Sequence, residues 1–495
     1  MVGGAPDGFP PVRGDASRAG ARARQTLSGH GHEGPAAGGE DWFPADEQGE
    51  HAACRDAGNL SAGLVSVRRV IERWNRDQVL ALAPDASSQK AAHGVSSPGK
   101  WSNTGVTAEA VWGECKGSGS KPYRACVDLS GPAYRCSCPS RKFPCKHALG
   151  LLLLWSADGV PGADEPADWV AEWLDQRRAR AERPAPAPRA AAAAAPDPRR
   201  AEQREQRVAA GLEELDRWLA DQVRQGIAGS RRHDHWDGLV KRLIDAQAPG
   251  AAGTVSRLGT VLGGEDWPAR LLSEYALLHL LVTAHRREPP APTARGRVGF
   301  PTSKEEVLAG ETVRDRWDVL GRRDEEQDRL ITRRAWLRGR TTGRAALVLS
   351  FAPAGQTQTL DASLVTGMTV DADLAFYPGS APLRALVATR HGAAPAAVPP
   401  GSGPEQALRE VAAALAGDPW TDSWPVVLDG VVPLRNGGWL LGGPDGGIPL
   451  HPSAGTPWRL VAASGGRPLT VAAEWTPQGL RPLSTWDEEG RVVVL

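Results

Sequence analysis

Cys136-Ser137-Cys138-Pro139-Ser140-Arg141-Lys142-Phe143-Pro144-Cys145-Lys146-His147, followed directly by the apolar run Ala148–Trp155, is the stretch from which the rest of the chain is read. Three of the six cysteines and one of the eleven histidines fall within these twelve residues. They are spaced as Cys-x-Cys, a six-residue gap and Cys-x-His. All four side chains are of zinc-ligand type, and four such donors complete a closed tetrahedral structural site. Six cysteines in 495 residues are too few for a disulfide framework, and clustered cysteines in such a chain read as metal ligands.

The spacing carries geometry. Residues i and i+2 of an extended segment point to one side, so Cys136 and Cys138 can offer both sulfurs from a strand end. A Cys-x-His pair cannot share a helix face, because two residues turn a helix by about 200°. Cys145 is therefore expected just ahead of a helix, with His147 in its first turn. Pro144 supports that boundary, since it pushes Phe143 out of helical conformation. The positive end of a helix dipole also favours a thiolate at Cys145.

With the preceding strands and Lys146-His147-Ala148-Leu149-Gly150-Leu151, this pattern resembles the SWIM zinc finger, in its free-standing bacterial form. Cys-x-Cys…Cys-x-His modules of that family occur in bacterial helicase-like ATPases, plant transposases, ubiquitin ligases and free-standing bacterial proteins. The resemblance covers roughly residues 64–180. It implies Zn2+ held by Cys136, Cys138, Cys145 and His147, a small ββ(β)α module, and a role in binding DNA or protein.

Formal net charge is zero, with 58 basic and 58 acidic residues, so no global field favours nucleic acid or an anionic membrane. Fifty of the basic residues are Arg and eight are Lys, which beside abundant Ala, Gly and Pro reads as coding bias. There is no apolar core near the start to form a secretory signal, and Ala148–Trp155 is far too short to span a bilayer. The expectation is a cytoplasmic protein without a membrane partner.

Residues 1–62 are rich in Gly, Ala, Pro and charge and show no hydrophobic period, so they read as a disordered extension. Val65 is a plausible true initiator. His30, His32, His51 and Cys54 lie here with nothing to position them as a second metal site. The zinc-finger domain spans 63–183. It opens with a helix through Val67, Val70, Ile71 and Trp74 that ends by Pro84, and Asp85 caps a second helix closed at Gly94. Three strand-like runs follow: Glu109–Cys115, Pro122–Leu129 and Ala133–Cys138. Cys115 and Cys126 lie on the first two as buried thiols, set opposite each other. Trp169 and Trp173, at an i,i+4 spacing, close the domain.

A Pro/Ala linker covers 184–199. A helical domain follows at 200–290, with stripes through Leu212, Leu215, Trp218, Leu219 and Val223, then Leu239, Leu243 and Ile244, then Leu271–Val282. His233 and His235 read as a turn ahead of Trp236, because no further donors lie nearby. A β-rich domain at 298–495 contains the runs Arg329–Leu337, Arg344–Phe351 and Val426–Val432, an Asn436-Gly437 hairpin and one helix at Pro404–Ala416. Its six tryptophans from Trp420 to Trp486 read as β-core residues. The fold class is α+β and multidomain.

No G-x-x-x-x-G-K-[ST], G-x-S-x-G or H-E-x-x-H motif occurs, so the helicase-linked form of the family is excluded within this chain. Four protein ligands leave a zinc ion no open catalytic position. The sequence therefore reads as a non-enzymatic adaptor that docks protein partners in a larger bacterial complex, with an ATPase among them supplying energy. The alternative is a DNA-binding protein using Arg135, Arg141, Lys142 and Lys146 around the finger, weakened by the neutral chain and by a mildly acidic C-terminal region.

Overall fold

The structure, a computed structural model, describes residues 73–117, 121–140, 142–182, 198–231, 235–263, 265–327, 329–354 and 356–495. The expectations for 1–62, for the helix through Val67, Val70 and Ile71, and for most of the linker lie outside the described residues.

Asn75 opens the first helix among the described residues, α1 (Arg76–Ala81), through a capping box with Gln78. Trp74 precedes this helix instead of lying on it. It packs edge-on against Trp155 at 5.8 Å, a tertiary contact that its helical spacing disguised. Asp85 caps α2 (Ala86–His93), which ends at Gly94 as expected. Four antiparallel strands follow in the order β1 (Trp101–Val106), β2 (Ala110–Cys115), β3 (Tyr123–Asp128) and β4 (Ala133–Cys136). β1 was not foreseen, because it lacks alternation and carries a register shift between Ser102 and Gly105. The register pairs Trp112 with Cys126 and Cys115 with Tyr123, so the two thiols are not opposite each other. They face different sides of the sheet, since they sit at unlike parities.

On one face lies α3 (Lys146–Ser156), buried from His147 through Trp155. On the other, Val170 and Leu174 of α4 (Asp168–Glu182) pack on Ala110, Trp112 and Cys126, with Trp169 and Trp173 only half-buried beside them. The α3 core extends beyond the finger, because Val365 and Met368 from the β-rich part complete it. Polar contacts cross the same boundary. Gln78 Nε2 donates to the Thr366 carbonyl at 3.1 Å, Asn75 Nδ2 to Val492 at 2.8 Å, and Arg322 Nη2 to Ala81 at 2.8 Å.

The helical part comprises α5 (Pro198–Gln225), α6 (Asp237–Asp245), α7 (Pro249–Arg257), α8 (Trp267–His285) and short α9 (Pro292–Val298). Val208, Leu212, Leu215 and Leu219 form the buried stripe of α5, whereas Val223 and Ile244, placed on apolar stripes by their spacing, are exposed. His235 lies against Trp218 and Trp236 and its Nε2 is 2.9 Å from Gln222 Oε1; His233 is outside the described residues.

A short helix, α10 (Lys304–Ala309), leads into a closed barrel of β5 (Thr312–Gln327), β6 (Leu330–Gly339), β7 (Ala345–Pro353), β8 (Met368–Phe376) and β9 (Arg384–Pro395). Its order is β5-β6-β7-β9-β8, and only the β7–β9 pairing is parallel. After α11 (Pro404–Gly417) comes a six-stranded sheet: β10 (Trp424–Asn436), β11 (Gly438–Gly443) and β12 (Gly446–Pro449), then, beyond α12 (Trp458–Ser464), β13 (Leu469–Thr476), β14 (Gly479–Trp486) and β15 (Val492–Val494). The Asn436-Gly437 hairpin forms, with Gly437 at φ 66°.

Barrel and sheet share a core in which Trp336 and Leu347 meet Val427, Ala472, Leu483 and Trp486. Gly321 lets them close, since a Cβ there would sit 2.6 Å from the Leu483 Cβ. Two tryptophans depart from the β-core expectation. Trp420 packs on the helical part, its Nε1 donating to the Leu277 carbonyl at 2.9 Å, and Trp458 is 71% exposed. The whole is a mixed α+β fold with a β-rich C-terminal part. Among the described residues, no helix is long and apolar enough to cross a membrane.

Candidate metal centre

The β3–β4 ladder delivers the first two ligands. Cys136 ends β4 opposite Ala125, and the ladder runs one residue further, because Ser137 N–H donates to the Arg124 carbonyl at 3.0 Å. Arg124 N–H donates back to Ser137 Oγ at 3.0 Å. The backbone therefore stays extended through Ser137, which turns Cys136 and Cys138 to the same side. Cys145 is the N-cap of α3, with φ −74° and ψ 164°, and His147 falls in the first turn, 5% exposed. The division of Cys145 and His147 between cap and helix is the one the spacing requires.

The four donor atoms lie within 4.8 Å of one another, and His147 Nδ1 is 3.8 Å from Cys136 Sγ. A zinc ion bonded at about 2.3 Å to sulfur and 2.0–2.1 Å to nitrogen sets neighbouring ligand atoms roughly 3.5–3.8 Å apart. Donor types, number and spacing thus fit Zn2+, with Nδ1 as the imidazole ligand. Tyr123 stacks on the His147 ring at 4.8 Å and 31°, holding its orientation.

The thiols differ in acidity. The Cys136 thiol, first, then the His147 ring and the Ala148 N–H at the start of α3, hold the Cys145 thiol well below the usual thiol range. Its hydrogen bond to Cys145, then burial, pushes Cys136 up, and burial pushes Cys138 up. One ready thiolate at the helix start is thus flanked by two thiols that ionise on meeting a cation.

The basic residues expected around the centre are dispersed. Lys142 Nζ bonds Asp85 Oδ2 at 2.8 Å and Ser87 Oγ at 2.8 Å, tying the ligand loop to α2. Arg135 pairs with Cys126 in the ladder and shares its face, the α4 side, away from the metal ligands. Lys146 is exposed in the first turn of α3. Arg141 lies outside the described residues. Sequence reasoning missed Tyr123 and Asp85. Asp85 was legible as a cap, but its ion pair reaches across 57 residues, which no local pattern signals.

Four protein donors at tetrahedral spacing, on a strand end and a helix start, define a zinc-finger module. Residues 126–155 match the SWIM zinc finger and residues 203–297 match the SWIM-associated four-helix bundle domain. Together these matches support a SWIM-type zinc finger protein. No curated protein and no solved structure matches it.

Proposed function

We propose that this protein is a non-enzymatic adaptor whose zinc finger is a rigid docking module in a larger complex. The observation that carries this reading is the closure of the centre: three sulfurs and one nitrogen fill four positions, which makes the metal a structural element and leaves none open for substrate. No P-loop occurs in the chain, so any step requiring ATP falls to a partner ATPase.

Two further observations favour protein over DNA. Lys142 and Arg124 are engaged with Asp85 and Glu114, and Arg135 faces the other side of the sheet, so the cations do not form one stripe. Five-stranded barrels of the OB type bind oligonucleotides on the face of their second and third strands. The corresponding face here, through Trp336 and Leu347, is buried beneath the six-stranded sheet.

The test pairs two measurements. Duplex DNA titrated at about 0.15 M salt should bind no better than weakly, and a stoichiometric protein partner should be retained by zinc-loaded wild type but not by Cys138→Ser. Submicromolar DNA affinity at that salt, falling with a log-log slope of about −0.9 per phosphate contacted, would overturn the reading.

A further inference from the structure

Beside the metal ligands lies a pocket of about 470 Å³, bounded by α2, the end of β2, the ligand loop and the first turn of α3. Its polar lining includes Ser87, Lys116, Tyr123, Ser140, Lys142 and Lys146. The lysines stand out in a chain with fifty arginines. Six of the eight, Lys90, Lys100, Lys116, Lys121, Lys142 and Lys146, fall within the finger.

Charge in the pocket is unbalanced. Asp85 is committed to Lys142. Three thiolates and a neutral imidazole on a zinc dication leave the centre one net negative charge, which a single lysine offsets. Lys116 and Lys146 are exposed and make no ion pair with a carboxylate among the described residues. Both are ammonium point charges on flexible stems rather than planar forks, which suits single carboxylate oxygens approaching from several directions.

We propose that this pocket receives an acidic segment of a partner protein, with Lys116 and Lys146 contacting its carboxylates beside the metal. The proposal rests on the adaptor reading and names the chemistry of the partner. A pocket of this volume accepts one or two acidic side chains; a duplex backbone needs a continuous basic track, and Arg124 and Arg178, on the α4 side of the sheet, are spent on Glu114 and Glu109. Because the zinc ligands Cys138 and His147 also line the pocket, metal loading fixes its shape before the partner arrives.

The test uses the full, zinc-loaded chain and a fluorescent poly-glutamate peptide, read by anisotropy. Wild type should bind, and Lys116→Gln/Lys146→Gln should weaken binding about tenfold or more, the loss of two charge-assisted contacts. Zinc content should stay at one per chain in that variant. Lys116→Gln alone, remote from the ligands in sequence, should weaken binding several-fold, and Lys241→Gln on α6 should change nothing. Asp85→Asn, which releases Lys142, should tighten binding. Peptide affinity indifferent to the double variant overturns the proposal. So does tighter binding of a duplex oligonucleotide of equal charge, which assigns the pocket to nucleic acid, or ready displacement of the peptide by inorganic phosphate, which assigns it to small anions. A partner captured in a zinc-dependent manner but unaffected by Lys116→Gln/Lys146→Gln removes the pocket and leaves the adaptor standing. Tight peptide binding with no zinc-dependent partner removes the adaptor instead.

Discussion

Stripping the zinc should loosen the ligand loop while the helix behind it stays in place. The reason lies in what else holds each part. α3 buries five leucines, Leu149, Leu151, Leu152, Leu153 and Leu154, each 6% exposed or less. Burial of such a side chain contributes about 1.5–3 kcal/mol, so the helix holds a transfer free energy on the order of 10 kcal/mol independent of the metal. That is comparable to the ~10–16 kcal/mol with which a structural zinc site binds its ion. The loop from Ser137 to Cys145 has far less. Pro144 is buried and Phe143 half-buried against Tyr134 at 5.6 Å, and the Lys142–Asp85 pair is exposed on both sides. Such an exposed pair stabilises by about 0–1 kcal/mol. Hydrogen exchange read by mass spectrometry, with and without a chelator, separates the two regions. Loop amides should exchange at least ~100-fold faster without zinc, a loss of about 2.7 kcal/mol of local protection. Amides of α3, β2 and β3 should change less than tenfold. If α3 exchanges as fast as the loop, or far-UV circular dichroism loses helix on chelation, the metal supplies the folding free energy of the module and the reasoning fails.

Four further outcomes are expected. Asp85→Asn keeps the cap of α2 and loses only the exposed ion pair, so urea denaturation should show a cost below about 1 kcal/mol, whereas Asp85→Ala loses both and should cost about 1–2 kcal/mol. Lys142, then Ser87 and the Ser88 N–H, hold the Asp85 carboxyl well below the usual carboxylate range. A depressed carboxylate stabilises fully above its unfolded value of about 3.9 and loses that contribution as pH falls through the folded value, so the wild-type advantage over Asp85→Asn should be flat above about pH 5 and shrink in acid. Glu474, 1% exposed, bonds Arg323 and lies 3.6 Å from both Arg334 and Arg481, so Glu474→Gln should cost about 3–5 kcal/mol by leaving three arginines with Glu325 as their remaining carboxylate; a drop in Tm of a degree or less would remove that network as a stabilising element. Met368→Ala, in the barrel, should cost about 2–5 kcal/mol and raise exchange in α3, since its side chain completes the finger core; an α3 unaffected by this change would show the two to be energetically separate.

The metal centre was legible because its chemistry is local. All four donors sit within twelve residues, and the alternation of a strand and the turn of a helix fix which way each must point. The helix at Lys146 and the Asn436-Gly437 hairpin were legible for the same reason. What escaped reading depends on distant chain. Trp74 recurs at helical spacing yet is placed by Trp155, and β1 contains Asn103 at φ 49° within an unpatterned segment. Nothing in Leu364-Val365-Thr366-Gly367-Met368 announces that it closes a core begun almost three hundred residues earlier. Trp458 shows the opposite failure, since an aromatic in a β-rich region invites burial, while its place on α12 leaves it in solvent.

The bond from Asn75 to Val492 has a practical meaning for anyone who wishes to dissect the molecule. The finger lies next to the last strand in space, although the helical part separates it from the barrel along the chain. A fragment cut after the finger would lose the Val365 and Met368 side of its core and present bare Trp155 and Leu152 surroundings to water. A circular permutant is the better tool. A short peptide joining the residues after Val492 to those before Asn75, with new ends opened between residues 182 and 198, keeps finger, barrel and terminal sheet as one continuous chain. The helical part then becomes a terminal appendage that can be trimmed or exchanged without cutting through the core that finger and barrel share.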